Sequence, residues 1–164
     1  MSIVPNHQTN RITPLVTRGN VAYFGVFGYE LDLADLTQAE KEIVKEQIAF
    51  YKKERSLIHQ GNFYRLRSPF DSNQVVWSVV SHNRSRVILA QYKLLNEVNR
   101  AYNRVYLQGL NADALYEVDG KQFNGAELML AGFSLSDASC GQPLNQEKLS
   151  CDFDSHIWVF EEVT

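Results

Sequence analysis

The sequence predicts a mainly β protein: an antiparallel β-sandwich of Greek-key type, preceded by one strand and one long α-helix. Three observations carry this. After Gly61, short apolar runs alternate with turn residues. Before it, Val44, Ile48, Tyr51, Arg55 and Ile58 recur at helical spacing. Earlier still, Val21 to Leu33 is crowded with aromatic and branched residues, which favour a pleated, buried environment.

The elements follow in chain order. Residues 1–20 are polar and interrupted by Pro5 and Pro14, so they read as loop or extended chain. Val21 to Leu33 reads as a strand apolar on both faces, the pattern of a strand buried on both sides. Gly25 and Gly28 weaken it or permit close backbone contact. Thr37 and Glu40 form a capping box, in which the hydroxyl takes a free first-turn amide and the carboxylate reaches back to the cap. The helix is expected from about Gln38 to His59. Acidic residues lie early in it, at Glu40, Glu42 and Glu46, and Lys52, Lys53 and Arg55 lie late; both match the helix dipole. Gly61 is the expected stop.

Beyond that stop, strands are expected at Phe63–Leu66, Val75–Val80, Val87–Leu94, Arg104–Leu107, Ala114–Val118 and Ile157–Val163. Turn clusters separate them at Asp71-Ser72-Asn73 and at His82-Asn83-Arg84-Ser85. Asp119-Gly120 is a strong hairpin signal. Gly125 to Ala131 is ambiguous between a helical turn and a strand. The domain boundary is placed at Gln60/Gly61, giving units 1–60 and 61–164.

The 164 residues suit one average domain with an added segment, and the net charge of −3 carries no electrostatic footprint for nucleic acid. No apolar stretch reaches the roughly 18 residues of a membrane span, and no secretory signal is visible at the N-terminus. The expected location is cytoplasmic. Cys140 and Cys151 can close a disulfide loop; two free thiols are the plainer reading. With only His156 nearby, they do not make a zinc site, and no cofactor or metal is expected.

Candidate site residues are few. Glu30 and Asp32, two apart on the expected strand, share a face, with Asp35 just beyond. Paired carboxylates on one face can act as acid and base, so this pair is the one to weigh. The alternative is a structural or solvated role near the strand end. His7 and Gln8 lie in a polar loop, where bracing hydrogen bonds are the simpler role. His59, His82 and His156 show no nucleophile or base pattern, and Ser136 to Cys140 reads as loop. Trp77 and Trp158 suggest stacking on sugar rings, but strand alternation assigns both to the core.

Several segments together resemble a known family. They are V-P-N-H-Q-T-N-R-I-T-P-L-V-T-R-G-N-V-A-Y-F-G-V-F-G-Y-E-L-D-L at Val4 to Leu33, K-E-Q-I-A-F-Y-K-K-E-R at Lys45 to Arg55, G-N-F-Y-R-L at Gly61 to Leu66, S-P-F at Ser68 to Phe70 and G-A-E-L-M-L-A-G at Gly125 to Gly132. The chain resembles the C-terminal part of family-36 alpha-galactosidases (melibiases) over nearly its whole length. The resemblance implies the last strand and helix of a (β/α)8 barrel followed by a C-terminal β-sandwich. It also implies a parent enzyme that cleaves terminal alpha-galactosides, such as melibiose and raffinose-type sugars, with retention and without a metal. The family's nucleophile lies in a K-W-D-type motif and its acid/base in a D-N-T-D-type stretch; this sequence has neither. No catalytic, cofactor-binding or metal residue is therefore assigned, and the chain alone is expected to be inactive. An alpha-galactoside is the expected partner only through the missing catalytic barrel. An independent carbohydrate-binding module or an oligomerisation domain is the alternative. Without barrel neighbours, Val21 to Leu33 is expected to pack on the sandwich, pair with another copy or be disordered.

Overall fold

The computed structural model describes residues 1, 4–8, 10–95, 103–135 and 152–163. The chain divides into two compact units, Met1–Gln60 and Gly61–Thr164.

The first unit is helical. Helix α1 (Leu15–Ala22) starts at Pro14, a 3-10 turn spans Leu33–Asp35, and α2 runs Gln38–Gln60. The capping box forms as its chemistry requires. The Thr37 amide donates to Glu40 Oε2 at 2.9 Å, and the Glu40 amide donates to Thr37 Oγ1 at 3.3 Å. The buried stripe of α2 is Val44, Gln47, Glu54 and Ile58. Arg55, expected on that stripe, is exposed, and Glu54 occupies its place.

Two expectations for this unit are corrected. Residues 15–22 are helix rather than loop, and Val21 to Leu33 is not a strand. A strand needs a ladder partner along its length, whereas the backbone here turns back on itself at Phe24 and Gly25 and meets Met1 at Gly28 and Glu30. Its aromatics pack on a helix instead. Tyr23 is 4.9 Å from Phe50, and Phe27 stacks on Tyr51 at 4.6 Å (ring centroids). The segment thus folds against α2 within its own unit. Gly19 makes room for α2: a Cβ there would lie 2.2 Å from the Gln47 amide.

The second unit is an antiparallel sandwich. Its strands are β1 (Asn62–Arg67), β2 (Gln74–Val80), β3 (Arg86–Lys93), β4 (Arg104–Val105), β5 (Leu115–Val118), β6 (Lys121–Asn124), β7 (Phe133–Ser134) and β8 (Ser155–Val163). One sheet has the order β1-β2-β3-β8-β5-β6, and β4 pairs with β7 in a second. The last strand therefore lies between β3 and β5, the non-local connection of a Greek-key arrangement. One core joins the layers. Val76, Leu89, Trp158 and Phe160 from the large sheet meet Val105 and Phe133 from the small one, with Leu107, Leu110 and Leu128 between. Phe133 meets Trp158 and Phe160 edge-on, with centroids 5.4 and 5.1 Å apart.

The turns match the residues that build them. Asp119 and Gly120, at φ 50° and 72°, close a two-residue hairpin in which Val118 faces Lys121. Positive φ at both central residues gives the twist that suits β-hairpins. The Ser81 amide donates to the Arg86 carbonyl across the β2–β3 turn, and Arg84 takes φ 62° within it. Tyr116, fully buried, donates its hydroxyl to the Arg84 carbonyl at 2.7 Å and accepts from the Asn111 amide at 3.0 Å. The ambiguous Gly125 to Ala131 stretch resolves as helix α3 (Gly125–Leu130), whose cap is the Asn124 side chain. Gly125 is required there, since a Cβ would sit 1.9 Å from the Asn111 carbonyl oxygen. Strands β6 and β7 have no counterpart among the expected elements.

Candidate functional site

The first unit holds the polar and aromatic loops on which catalytic carboxylates were sought. Glu30 is exposed, and its backbone amide is held by the Met1 carbonyl at 2.7 Å. Asp32 is exposed and caps the 3-10 turn by accepting from the Ala34 amide at 2.8 Å. Asp35 is exposed inside that turn. None of the three stands at a strand end facing a cleft, because the strand does not exist. Their observed roles are local backbone bracing and solvation. His7 and Gln8 are exposed, and the Gln8 amide donates to Asn6 Oδ1 at 3.0 Å, which braces the loop.

Sequence reasoning missed a polar link under the aromatic cluster. Tyr29 donates its hydroxyl to Gln47 Oε1 at 2.8 Å, and Gln47 Nε2 donates to the Leu15 carbonyl at 3.0 Å. One glutamine thus ties the loop, α2 and α1 together. Its signal in the sequence is a glutamine at the helical spacing of the buried stripe, three residues after Val44. Burial pushes the Tyr29 phenol up to about 12, with Arg18 opposing the rise. Tyr23 is raised further by burial, and by Tyr29 and Glu46. Burial lowers Arg18, with Glu40 and Tyr29 acting against it. All three shifts begin with loss of solvent in a ring cluster. The described partner of the Tyr29 phenol is the Gln47 side-chain amide, which is no general base.

The remaining histidines are dispersed. His59 ends α2, with Nε2 2.8 Å from the Tyr51 hydroxyl. His82 lies exposed in the β2–β3 turn. His156 is exposed on β8, its ring 4.3 Å from that of Trp158. Among the described residues no group of three or more His, Cys, Asp or Glu is placed to hold a metal ion. Cys140, Cys151 and the Ser136 to Cys140 stretch lie outside the described residues.

Two concavities lie among the described residues of the second unit. One, of about 460 Å³, is rimmed by Glu117, Asp119, Glu161 and Glu162 at the β5–β8 junction, and Arg86 pairs with Glu161 beside it. The other, of about 550 Å³, lies between the Ser68–Ser72 turn and Trp77. The two tryptophans differ. Trp158 is core at 4% exposure, whereas Trp77 is half-buried and lines the second concavity. Trp77 is therefore only partly core, with Phe63 and Tyr92 flanking its ring.

Comparison with known proteins fits this division. Residues 74–160 match the family model of the glycosyl hydrolase family 36 C-terminal domain, and residues 1–61 match that of melibiase. The chain belongs to glycosyl hydrolase family 36. Alpha-galactosidase AgaA of Geobacillus stearothermophilus is 46% identical over 99% of this chain, which covers 21% of that protein. The bifunctional alpha-galactosidase/sucrose kinase AgaSK of Mediterraneibacter gnavus is 44% identical over 82% of this chain, which covers 15% of it. In the crystal structure of the alpha-galactosidase from Lactobacillus brevis, 99% of this chain superposes on 22% of that chain, with a TM-score of 0.89 and 41% identity. AgaA variants have been crystallised with raffinose and stachyose. The chain thus spans about a fifth of the length of the family-36 relatives it matches.

Proposed function

We propose that this chain is the non-catalytic C-terminal part of an alpha-galactosidase. It would supply the final segment of the catalytic barrel and the sandwich behind it. The protein it serves hydrolyses terminal alpha-galactosides of the raffinose type by a retaining mechanism, in the cytoplasm. The catalytic carboxylates belong to barrel strands outside these residues. The observation that supports this reading is the mismatch of coverage: nearly all of this chain aligns with alpha-galactosidases, yet it accounts for only 21% of AgaA. The exposed, locally committed positions of Glu30 and Asp32 agree with it. The sandwich then acts as a brace and α2 as its connection.

The test is hydrolysis of an aryl alpha-galactoside by the purified chain, beside a full-length family-36 enzyme. Background-level turnover is expected. Turnover that disappears in Glu30→Gln or Asp32→Asn would overturn the proposal and make these loop acids the site.

A further inference from the structure

Asn124 and Gly125 form the chain's one Asn-Gly dipeptide. This pairing carries a reaction of its own. The glycine amide nitrogen can attack the side-chain carbonyl carbon of the asparagine. A C–N bond forms, the bond to Nδ2 breaks, and ammonia leaves with the amide proton. The product is a five-membered succinimide. Water then opens it at one of its two carbonyls, giving aspartate or isoaspartate. Water is the co-reactant, and nothing is oxidised or reduced. A side chain after the asparagine slows the attack by crowding the approach, and glycine has none.

The folded chain holds both reacting groups out of position. The succinimide ring is nearly flat, so the Gly125 nitrogen must eclipse the Asn124 Cβ about the Cα–C bond. Asn124 stands instead at φ −74° and ψ 142°, an extended geometry that turns the nitrogen away. Its Oδ1 accepts from the Ala126 amide at 2.9 Å, which fixes the side chain. The Gly125 amide donates to the Ala114 carbonyl at 2.9 Å, and the Ala126 amide also donates to the Ala112 carbonyl at 3.0 Å. Rotation of the peptide is blocked as well. Gly125 is buried against the Asn111 carbonyl and the Tyr116 ring, so closely that no Cβ would fit. Tyr116 in turn holds the 111–114 loop, since its hydroxyl accepts from the Asn111 amide and donates to the Arg84 carbonyl. The reacting groups come together when the junction of β6 and α3 separates from that loop. Such local opening has its own free energy, up to that of global unfolding.

We propose that Asn124–Gly125 is a self-modification site gated by this junction: the fold preserves the asparagine, and chains that open are marked irreversibly. Isoaspartate adds one methylene to the backbone. It lengthens the step from β6 to α3 at the point where Gly125 has no space to move, so a marked junction does not close again. The gate lies in the sandwich and does not depend on where the catalytic carboxylates lie.

The test is peptide mapping of the purified chain after incubation at mildly alkaline pH, folded in buffer and unfolded in guanidinium chloride. Trypsin cuts after Lys121, and fragment ions separate Asn124 from Asn145 on the peptide that follows. Conversion of Asn124 should be faster in the unfolded chain by about tenfold or more, the ratio set by an opening free energy of about 1.4 kcal/mol. Tyr116→Phe keeps the ring and removes its hydrogen bonds to the loop. Its folded-state rate should rise about fivefold, the factor for a lost hydrogen bond of about 1 kcal/mol, while its unfolded-state rate matches the parent's. Equal rates in the folded and unfolded parent overturn the proposal, because the fold then gives no protection. So does an Asn124 that stays intact in guanidinium chloride. A folded-state rate that Tyr116→Phe leaves unchanged also overturns it, since the junction is then not the gate.

Discussion

The two units reach order by different routes. The sandwich is held by many residues of one kind: Val76, Val80, Val87, Leu89, Tyr116 and Phe160 are all fully buried in one core. The helical unit has few buried apolar residues, and its order rests on rings stacked along α2 and on one buried glutamine. The contrast teaches that a sheet core is distributed, so its stability depends on volume. A loop folded onto a helix is keyed, so its stability depends on a few directional contacts.

The largest test strikes the distributed core. Phe160→Ala removes a fully buried ring that meets Phe133 edge-on, and should destabilise the sandwich by about 3–5 kcal/mol. Tryptophan fluorescence during urea unfolding checks this, because both tryptophans lie in the second unit. A loss below 1 kcal/mol would break the comparison, since it would mean the core does not act as one volume.

A smaller effect is expected from the key. Gln47→Leu leaves the Tyr29 hydroxyl and the Leu15 carbonyl without the partner each now has. An unsatisfied buried group costs about 1–3 kcal/mol. Limited proteolysis between Val21 and Leu33 should then accelerate while the tryptophan transition stays put. Unchanged cleavage would show that the rings alone hold the loop.

The smallest effect is at the helix start. Hydrogen bonds from Thr37 hold the Glu40 carboxyl below its ordinary value of 4.5. A depressed folded-state value means this stabilisation is present above the unfolded value and is lost as pH falls through the folded one. Helical ellipticity in the parent should therefore decline on acidification below about 4.5 in part through this group, and Glu40→Gln should flatten that part of the profile. Thr37→Ala should cost about 1 kcal/mol at neutral pH. Identical acid profiles for the parent and Glu40→Gln would remove the capping box from the account.

The same contrast explains what was legible. Asp119-Gly120 and the Thr37/Glu40 pair were readable because their chemistry is local: the residues that name the feature also make it. The β2 and β3 runs were readable because burial on a sheet leaves an apolar run in sequence. Val21 to Leu33 misled for the opposite reason. Tyr23, Phe27 and Tyr29 raise strand propensity, yet their environment is set by Phe50, Tyr51 and Gln47, far along the chain. Helix α1 was hidden by its polar buried residues, Thr17 and Asn20. The half-burial of Trp77 was hidden because alternation gives the face of a residue but not what covers it.

The place of β8 in the large sheet has a consequence for the order of events during synthesis. Strands β1, β2 and β3 can zip together as each leaves the ribosome, and β5 can close on β6 through its two-residue turn. The slot between these two pieces is filled by Ser155–Val163, which is made after both of them. Until then β3 and β5 each present an open edge, the surface on which wrong strand pairing begins. The nascent chain must keep those edges apart from others of its kind until Ser155–Val163 has been made.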